Sequence, residues 1–351
     1  MERSKSGIEL GKNRNKVLDC YKGVLIILVI LGHVFEYSVS DWDNNILQNF
    51  IWAVQMPGFM LISGYFSFKR VDSFTEMLNG YKKSIERYLI PFISWFFLVN
   101  ILLCGMYERN IRVGANALLW RVDIGLWFLW VVFVLSFIAG LCNLVCIQIR
   151  ETIGQFIAIV VIWGGSYVGM LGISLKTSID FLGIKLILYY GLFYAMGWFI
   201  KWGKKFFSKR EERFCDFIAF ICICIFATII FNVNLYHIAD NLVGISIRLA
   251  AGLTGNYIIY YVVKKYTLQF QKAKLDILGI FTLEIYATHM YTNHMFSSVA
   301  KYDFFTVLGF VTFFCSLICT IILTGIVSVV LKCIPVTNYL FYGKKSENKG
   351  I

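Results

Sequence analysis

The chain has little charge and almost no proline. Only 15% of its 351 residues are Asp, Glu, Lys or Arg, three residues are proline, and 58% are hydrophobic. Its mean hydropathy is +0.69. A soluble protein of this size could not cover so much apolar surface with so few polar side chains. The composition therefore excludes an ordinary soluble domain and predicts an all-α, polytopic integral membrane bundle.

Cysteine pairs with the Cys-x-x-Cys spacing are also absent. None of the ten cysteines forms a Cys-x-x-Cys pair, and nearly all of them lie within apolar runs. Free cysteine in such surroundings behaves as a small hydrophobic residue. We therefore expect no disulfide framework and no metal cofactor. The cysteines are Cys20, Cys104, Cys142, Cys146, Cys215, Cys222, Cys224, Cys315, Cys319 and Cys333.

The net charge of +12 does not indicate a nucleic-acid partner. The basic residues lie between apolar spans, whereas a nucleic-acid-binding protein collects them along a groove or a helix face. If the chain starts inside the cell, most of the 33 Lys and Arg residues fall in inside segments. The positive-inside rule then places both termini in the cytoplasm, with the lipid bilayer as the partner of the spans.

Ten apolar stretches of about 20 residues predict ten transmembrane helices. The first follows a basic segment but shows no small-residue cleavage site, so we interpret it as a span and not as a signal peptide. The predicted organisation is a basic cytoplasmic segment 1–17, a transmembrane domain 18–335 and a polar cytoplasmic tail 336–351. The spans are 18–38, 46–68, 88–107, 125–148, 153–173, 182–201, 214–233, 242–263, 276–297 and 304–333.

The first span carries a polar stripe. Val24–Leu31 contains only Val, Leu and Ile, and Lys22 and His33 bracket it. Eleven positions place these two residues about 20° apart around a helix, with Asp19 and Glu36 close to the same face. Ionisable residues inside a span are expensive and usually mark a pathway or a site. Lys22 next to Asp19 could also be only an interfacial anchor that snorkels to the headgroups.

A second histidine is predicted at the depth of the first. His33 lies about fifteen residues into the first span, and His289 lies about thirteen residues into the ninth, which runs in the same direction. Both depths are about 20 Å at 1.5 Å per residue. The two histidines could therefore face one cavity. Glu284, on the same span as His289, needs a buried partner, for which Arg248 is a candidate.

Motifs along the whole chain resemble those of the membrane-bound acyltransferase-3 family, in particular its branch of short sugar O-acetyltransferases without a fused soluble domain. Lys22 and His33 resemble the family's basic–x10–His motif, with Lys where many members have Arg. The remaining elements occur in the family's order. They are Met56-Pro57 with Ser63-Gly64-Tyr65, Arg87 before Leu89-Ile90-Pro91-Phe92, Leu126-Trp127-Phe128-Leu129, and Gly279 with Leu283-Glu284-Ile285-Tyr286 and His289.

The resemblance implies transfer of an acyl group, usually acetyl, from cytoplasmic acyl-CoA to a hydroxyl of an extracytoplasmic carbohydrate. It implies a cell-membrane location and acetyl-CoA, or another short acyl-CoA, as co-substrate. The residues it assigns to catalysis are His33, Lys22 and Glu36. Those it assigns to substrate contacts are Asp19, Arg87, Trp127, Glu284, Tyr286 and His289.

The residue types fit that chemistry in two ways. A neutral imidazole at His33 can take the proton of a sugar hydroxyl as the oxygen attacks a thioester, while Glu36 orients the ring. Alternatively, His33 can carry the acyl group in a covalent step. Lys22 can hold the phosphates or carbonyls of CoA. The competing hypothesis is a transporter or flippase in which the stripe lines a permeation path, although the sequence shows no inverted repeat.

Overall fold

The computed structural model describes residues 14–67, 73–103, 111–149, 151–177, 180–203, 212–296 and 299–345. Over these residues the protein is helical and contains no β-sheet, which confirms the all-α class. Residues 1–13 of the predicted N-terminal segment and 346–351 of the predicted tail lie outside the described residues. The helices are α1 Lys16–Ser38, α2 Ile46–Ser67, α3 Phe74–Ser84, α4 Ile90–Phe97, α5 Ile111–Trp120, α6 Trp127–Gln148, α7 Thr152–Thr177, α8 Ile184–Gly203, α9 Glu212–Asn232, α10 Leu242–Lys265, α11 Thr267–Lys272, α12 Leu275–Ile280, α13 Thr282–His294, α14 Val307–Cys333 and α15 Pro335–Tyr342.

Within the described part of the chain, nine helical segments are long and apolar enough to cross a membrane. They are α1, α2, the run Phe74–Leu102, α6, α7, α8, α9, α10 and α14. The run Phe74–Leu102 joins α3 and α4 through the π-helical segments Ile85–Leu89 and Leu98–Leu102. The protein is therefore a multi-pass membrane protein, as the composition predicts.

The third predicted span, 88–107, begins too late. In the structure its helical run starts at Phe74. Glu76, Lys82 and Lys83 make the first turns look like a loop in the sequence. These turns stay helical where α3 lies against α6, with the Tyr81 ring stacked on Phe137 at a centroid distance of 5.0 Å. The predicted end of the span lies outside the described residues.

The ninth predicted span, 276–297, is not one continuous helix. It is divided into α12 and α13 at Phe281, whose φ of −96° and ψ of 16° leave the α-helical region. The Thr282 hydroxyl donates to the Gly279 carbonyl oxygen at 3.5 Å beside this break. A side-chain hydroxyl that bonds to the preceding turn commonly bends a helix. Neither piece alone is long enough to span a bilayer.

α12 and α13 both lie against α1, but α12 runs in the opposite direction to α1 and α13 runs in the same direction. Gly23 of α1 packs against the Leu275 carbonyl of α12, and Gly279 of α12 packs against the Asp19 carbonyl of α1. A Cβ at either glycine would clash with that carbonyl oxygen. Glycine at a helix crossing allows such backbone contact inside a membrane. After the break at Phe281 the chain turns back, and α13 follows α1, with His33 beside His289 and Tyr37 beside His294.

The core of the bundle lies around α1, α2, α6, α8 and α13. Leu25, Met60, Leu129 and Phe193 are among its fully buried side chains. In contrast, α7, α9 and α14 expose large apolar side chains on the outside of the bundle, as lipid-facing helices do. The basic half of the bundle is the half that contains Lys16, Lys22, Arg87, Lys332 and Lys344.

Candidate active site

His33 and His289 lie next to each other in the bundle. Their ring centroids are 5.2 Å apart and the ring planes are inclined by 50°. The sequence predicts that the two residues share a depth, and the structure places the two rings side by side. α1 supplies one ring and α13 supplies the other.

The His33 ring is oriented by Glu36. Its Nδ1 lies 3.1 Å from the Glu36 carboxylate oxygen Oε2, one turn further along α1. A carboxylate only accepts, so Nδ1 carries a proton; in the neutral ring the lone pair is then on Nε2. The His33 side chain is 28% exposed. This imidazole is therefore partly accessible and is oriented by Glu36.

The His289 ring is held by its own helix. Its Nδ1 lies 2.9 Å from the carbonyl oxygens of both Ile285 and Tyr286. Because carbonyl oxygens only accept, Nδ1 again carries the proton. The residue is fully buried, and its Nε2 has no hydrogen-bond partner in the described part of the chain. A buried acceptor without a partner is costly and is expected to meet a ligand or a water.

Tyr286 and Trp127 lie in an aromatic wall beside His289. The Tyr286 hydroxyl accepts a hydrogen bond from the Phe128 backbone N–H at 3.3 Å, and its ring lies 5.9 Å from the His289 ring. Trp127 stacks on Tyr190 at 4.7 Å and reaches the histidines only through the rings of Phe128 and Tyr286. Tyr286 therefore lies beside the histidine pair, whereas Trp127 lies one layer of aromatic rings further away.

Lys22 and Asp19 form an ion pair in the basic half. The Lys22 ammonium lies 2.7 Å from Asp19 Oδ1. The buried Asp19 carboxylate also accepts two hydrogen bonds from the Arg14 guanidinium, at 3.1 and 3.2 Å. Sequence reasoning missed Arg14. Lys22 and His33 are about 16 Å apart along α1, so the stripe holds two separate sites on one face.

Arg87 lies in the π-helical segment Ile85–Leu89, within electrostatic range of Lys22. Its guanidinium lies 5.6 Å from the Tyr88 ring. Within the described residues it forms no salt bridge with a carboxylate, whereas the neighbouring Glu86 binds Lys345 at 2.8 Å. This hydrogen bond raises the pKa of Lys345 above its ordinary value. Arg87 therefore presents an uncompensated positive charge.

Glu284 does not pair with Arg248, so that prediction is wrong. The buried Glu284 carboxylate lies 2.6 Å from the Lys344 ammonium and 3.6 Å from that of Lys332. Arg248 lies near the start of α10, at the other end of the bundle. There it binds Asp240 at 2.5 Å and the backbone carbonyl oxygens of Leu235 and Ile238. The distance between the two ends prevents the predicted contact.

A ladder of polar side chains joins α13 to α14. The Thr292 and Thr324 hydroxyls are 2.8 Å apart, and the Ser328 hydroxyl donates to Thr288 at 3.4 Å. The Thr320 hydroxyl donates to the Asn293 side-chain oxygen at 3.2 Å. With the Lys332–Glu284 pair, these contacts fix α13 against α14 beside His289. The spacing of Ser316, Thr320, Thr324, Ser328 and Lys332, four residues each, was the sequence signal for this ladder.

Fold and site together define an integral-membrane protein with two imidazoles beside each other between its spans. Comparison with known proteins gives the family. Residues 15–329 match the family model described as "Acyltransferase domain", and the chain belongs to this acyltransferase family. The resemblance drawn from the motifs is thereby confirmed.

Two curated relatives share shorter stretches. Nodulation protein NolL of Sinorhizobium fredii (strain NBRC 101917 / NGR234) is 31% identical over 126 residues, 34% of each chain. Nodulation protein NolL of Mesorhizobium japonicum (strain LMG 29417 / CECT 9101 / MAFF 303099) is 31% identical over 135 residues, 36% of this chain and 35% of that one. The chain thus spans about a third of the length of these relatives. No solved structure matches.

Proposed function

We propose that this protein is an O-acyltransferase of the cell membrane. It moves an acyl group, acetyl in the first instance, from cytoplasmic acyl-CoA to a hydroxyl of an extracytoplasmic carbohydrate or polysaccharide. The observation that supports this proposal is the histidine pair. Nδ1 of His33 donates to Glu36 and Nδ1 of His289 donates to a backbone carbonyl oxygen, so that Nε2 of each neutral ring can accept a hydrogen bond. Acyltransferase-family membership supports the reaction class.

The proposed step is a direct transfer at His33. The acceptor hydroxyl donates to His33 Nε2, and its oxygen attacks the thioester carbonyl carbon as the proton moves to the ring. The new C–O bond forms, the C–S bond breaks, and the imidazolium returns the proton to the leaving thiolate. The Glu36 carboxylate at 3.1 Å stabilises the imidazolium while it exists.

In this proposal the second imidazole, His289, binds the acceptor sugar. His289 Nε2 accepts a hydrogen bond from another hydroxyl of the acceptor and so orients the sugar toward His33. Carbohydrate supplies such neighbouring hydroxyls, and the Tyr286 ring beside His289 provides an apolar face for the sugar ring. Lys22, Asp19 and Arg87 hold the donor in the basic half. The pantetheine arm of CoA then has to extend along α1 between Lys22 and His33.

The experiment is acyl transfer from radiolabelled acetyl-CoA to surface glycan in membranes that carry the wild type, His33→Gln or His237→Gln. His237 is a matched control, because it pairs with Asp43 as an exposed histidine at 3.0 Å, away from the site. We expect His33→Gln to lose about 100-fold or more of the rate, the usual contribution of general acid–base catalysis. His237→Gln should keep the wild-type rate.

All three proteins must be equally abundant and inserted. Equal labelling by His33→Gln and the wild type would remove His33 from the chemistry. Absence of labelling by the wild type with acetyl-CoA and other short acyl-CoAs, together with movement of glycan across the membrane, would replace the proposed enzyme with a transporter.

A further inference from the structure

The end of the described chain folds back into the bundle. Tyr342 of α15 is fully buried, and its hydroxyl lies 2.9 Å from that of Thr288, the residue before His289. The Phe341 carbonyl accepts a hydrogen bond from the Trp95 indole N–H at 3.1 Å. We call residues Pro335–Lys345 the C-terminal strap. It lies beyond the residues that match the family model, which end at 329.

Gly343 directs the strap across the basic half. Its φ of 63° is left-handed and ends α15, as glycine after a helix commonly does. Its backbone lies against that of Glu86 and Arg87, so closely that a Cβ would clash with the Glu86 carbonyl. The next two residues therefore flank Arg87, with Lys344 binding Glu284 at 2.6 Å and Lys345 binding Glu86 at 2.8 Å.

Lys344 is the accessible partner of a buried carboxylate. Its side chain is 40% exposed, whereas that of Glu284 is 1% exposed. Glu284 also has a second cation, Lys332, at 3.6 Å. A carboxylate between two ammonium groups leaves one positive charge uncompensated. An incoming anion can therefore bind Lys344 from its open side while Lys332 still neutralises Glu284.

The strap places the positive charge of Lys344 in the half of the bundle that also holds the cations Arg87 and Lys22. Arg87 has no carboxylate partner in the described chain, and Lys22 lies within its electrostatic range. Phosphate esters are the anions that Arg and Lys clusters bind most strongly. A donor with several phosphates can engage Arg87 and Lys344 together, because Gly343 holds the two residues side by side.

We propose that the C-terminal strap is part of the donor site and that the Lys344 ammonium binds a phosphate of acyl-CoA. This proposal rests on the proposed function, since it assumes an acyl-CoA donor. The strap is a fixed part of the site, because the buried Tyr342 and the Phe341–Trp95 hydrogen bond anchor it on the side that faces the bundle.

The test compares two donors with the full-length protein. Acetyl-CoA carries phosphates, and S-acetylpantetheine carries the same thioester without them. Lys344→Gln should raise the KM for acetyl-CoA about 10-fold, the effect of losing one charge-assisted hydrogen bond. It should leave the KM for S-acetylpantetheine unchanged. Lys344→Arg should restore most of the affinity, and Lys265→Gln, a lysine at the end of α10 that contacts Tyr261, should resemble the wild type with both donors.

Each outcome decides between the proposals. If Lys344→Gln weakens both donors equally, or neither, the strap has no phosphate-binding role and the proposal is overturned, while the acyl-CoA reaction of the wild type still stands. If the wild type uses neither donor, the proposed function itself fails before any variant is examined. A Lys344→Gln protein that unfolds is replaced by Lys344→Met, with binding of unlabelled CoA to the purified protein as the readout; unchanged CoA affinity would overturn the proposal.

Discussion

The crossing of α1 and α12 gives the sharpest prediction, namely that one methyl group at Gly279 separates two helices. A Cβ there would clash with the Asp19 carbonyl oxygen. Carbon and oxygen atoms need about 3.5 Å for a favourable contact, so Gly279→Ala must push the helices apart by about 1 Å or more. Asp19 is also the partner of Lys22.

The change in folding free energy caused by Gly279→Ala is the sum of two opposing effects. Forcing an extra methyl into a packed contact costs about 1–3 kcal/mol, and a backbone carbonyl cannot rotate away as a side chain can. Replacing glycine by alanine within a helix contributes about 1 kcal/mol in favour of folding. The net effect at Gly279 is a destabilisation of up to about 2 kcal/mol. The midpoint of thermal denaturation should fall by a few degrees.

Gly164→Ala on α7 is the matched control, because a Cβ at Gly164 meets nothing within 4 Å. It should leave the midpoint unchanged or raise it. The assay heats the detergent-solubilised proteins and follows the fraction that stays monodisperse, an apparent midpoint suited to irreversible unfolding. Gly23→Ala should behave like Gly279→Ala. If both behave like Gly164→Ala, the backbone contact does not exist as described and the reasoning is refuted.

Two further predictions concern the site and the ladder. Glu36→Gln should reduce acetyl transfer by about 10-fold or more at equal abundance, because the His33 imidazolium loses a charge-assisted partner; an unchanged rate would contradict the role of Glu36. Thr292→Val and Thr324→Val should be coupled in a double-mutant cycle of apparent stability by about 0.6 kcal/mol, typical of hydrogen bonds between membrane helices. Simple additivity of the two changes would mean that their 2.8 Å contact contributes nothing.

The number and placement of most spans could be predicted, because an apolar run of about 20 residues has few alternatives to crossing the bilayer. The common depth of His33 and His289 followed from counting residues along two helices of the same direction. Their contact did not follow, because it depends on which spans are neighbours. The break at Phe281 was missed since the residues around it are as apolar as those of an unbroken span.

The errors in the site have a common cause. Charged residues were paired by their presence within spans, without knowledge of the level at which each span presents them. Glu284 was therefore assigned to Arg248, although the two lie at opposite ends. Its actual partner, Lys344, belongs to a stretch that reads as a polar tail. Only the return of α15 to the bundle, which places Tyr342 against Thr288, brings that lysine to Glu284.

The ladder between α13 and α14 limits the axial registers that these two helices can adopt. The polar groups of the ladder recur every four residues. Any alternative register of α13 on α14 that still pairs hydroxyls is therefore displaced by four residues, about 6 Å along the axis. Such a step would carry His289 past His33, and every smaller displacement would leave hydroxyls facing apolar side chains. The ladder therefore favours one alignment of α13 with α14, and with it one level for the His289 imidazole beside His33.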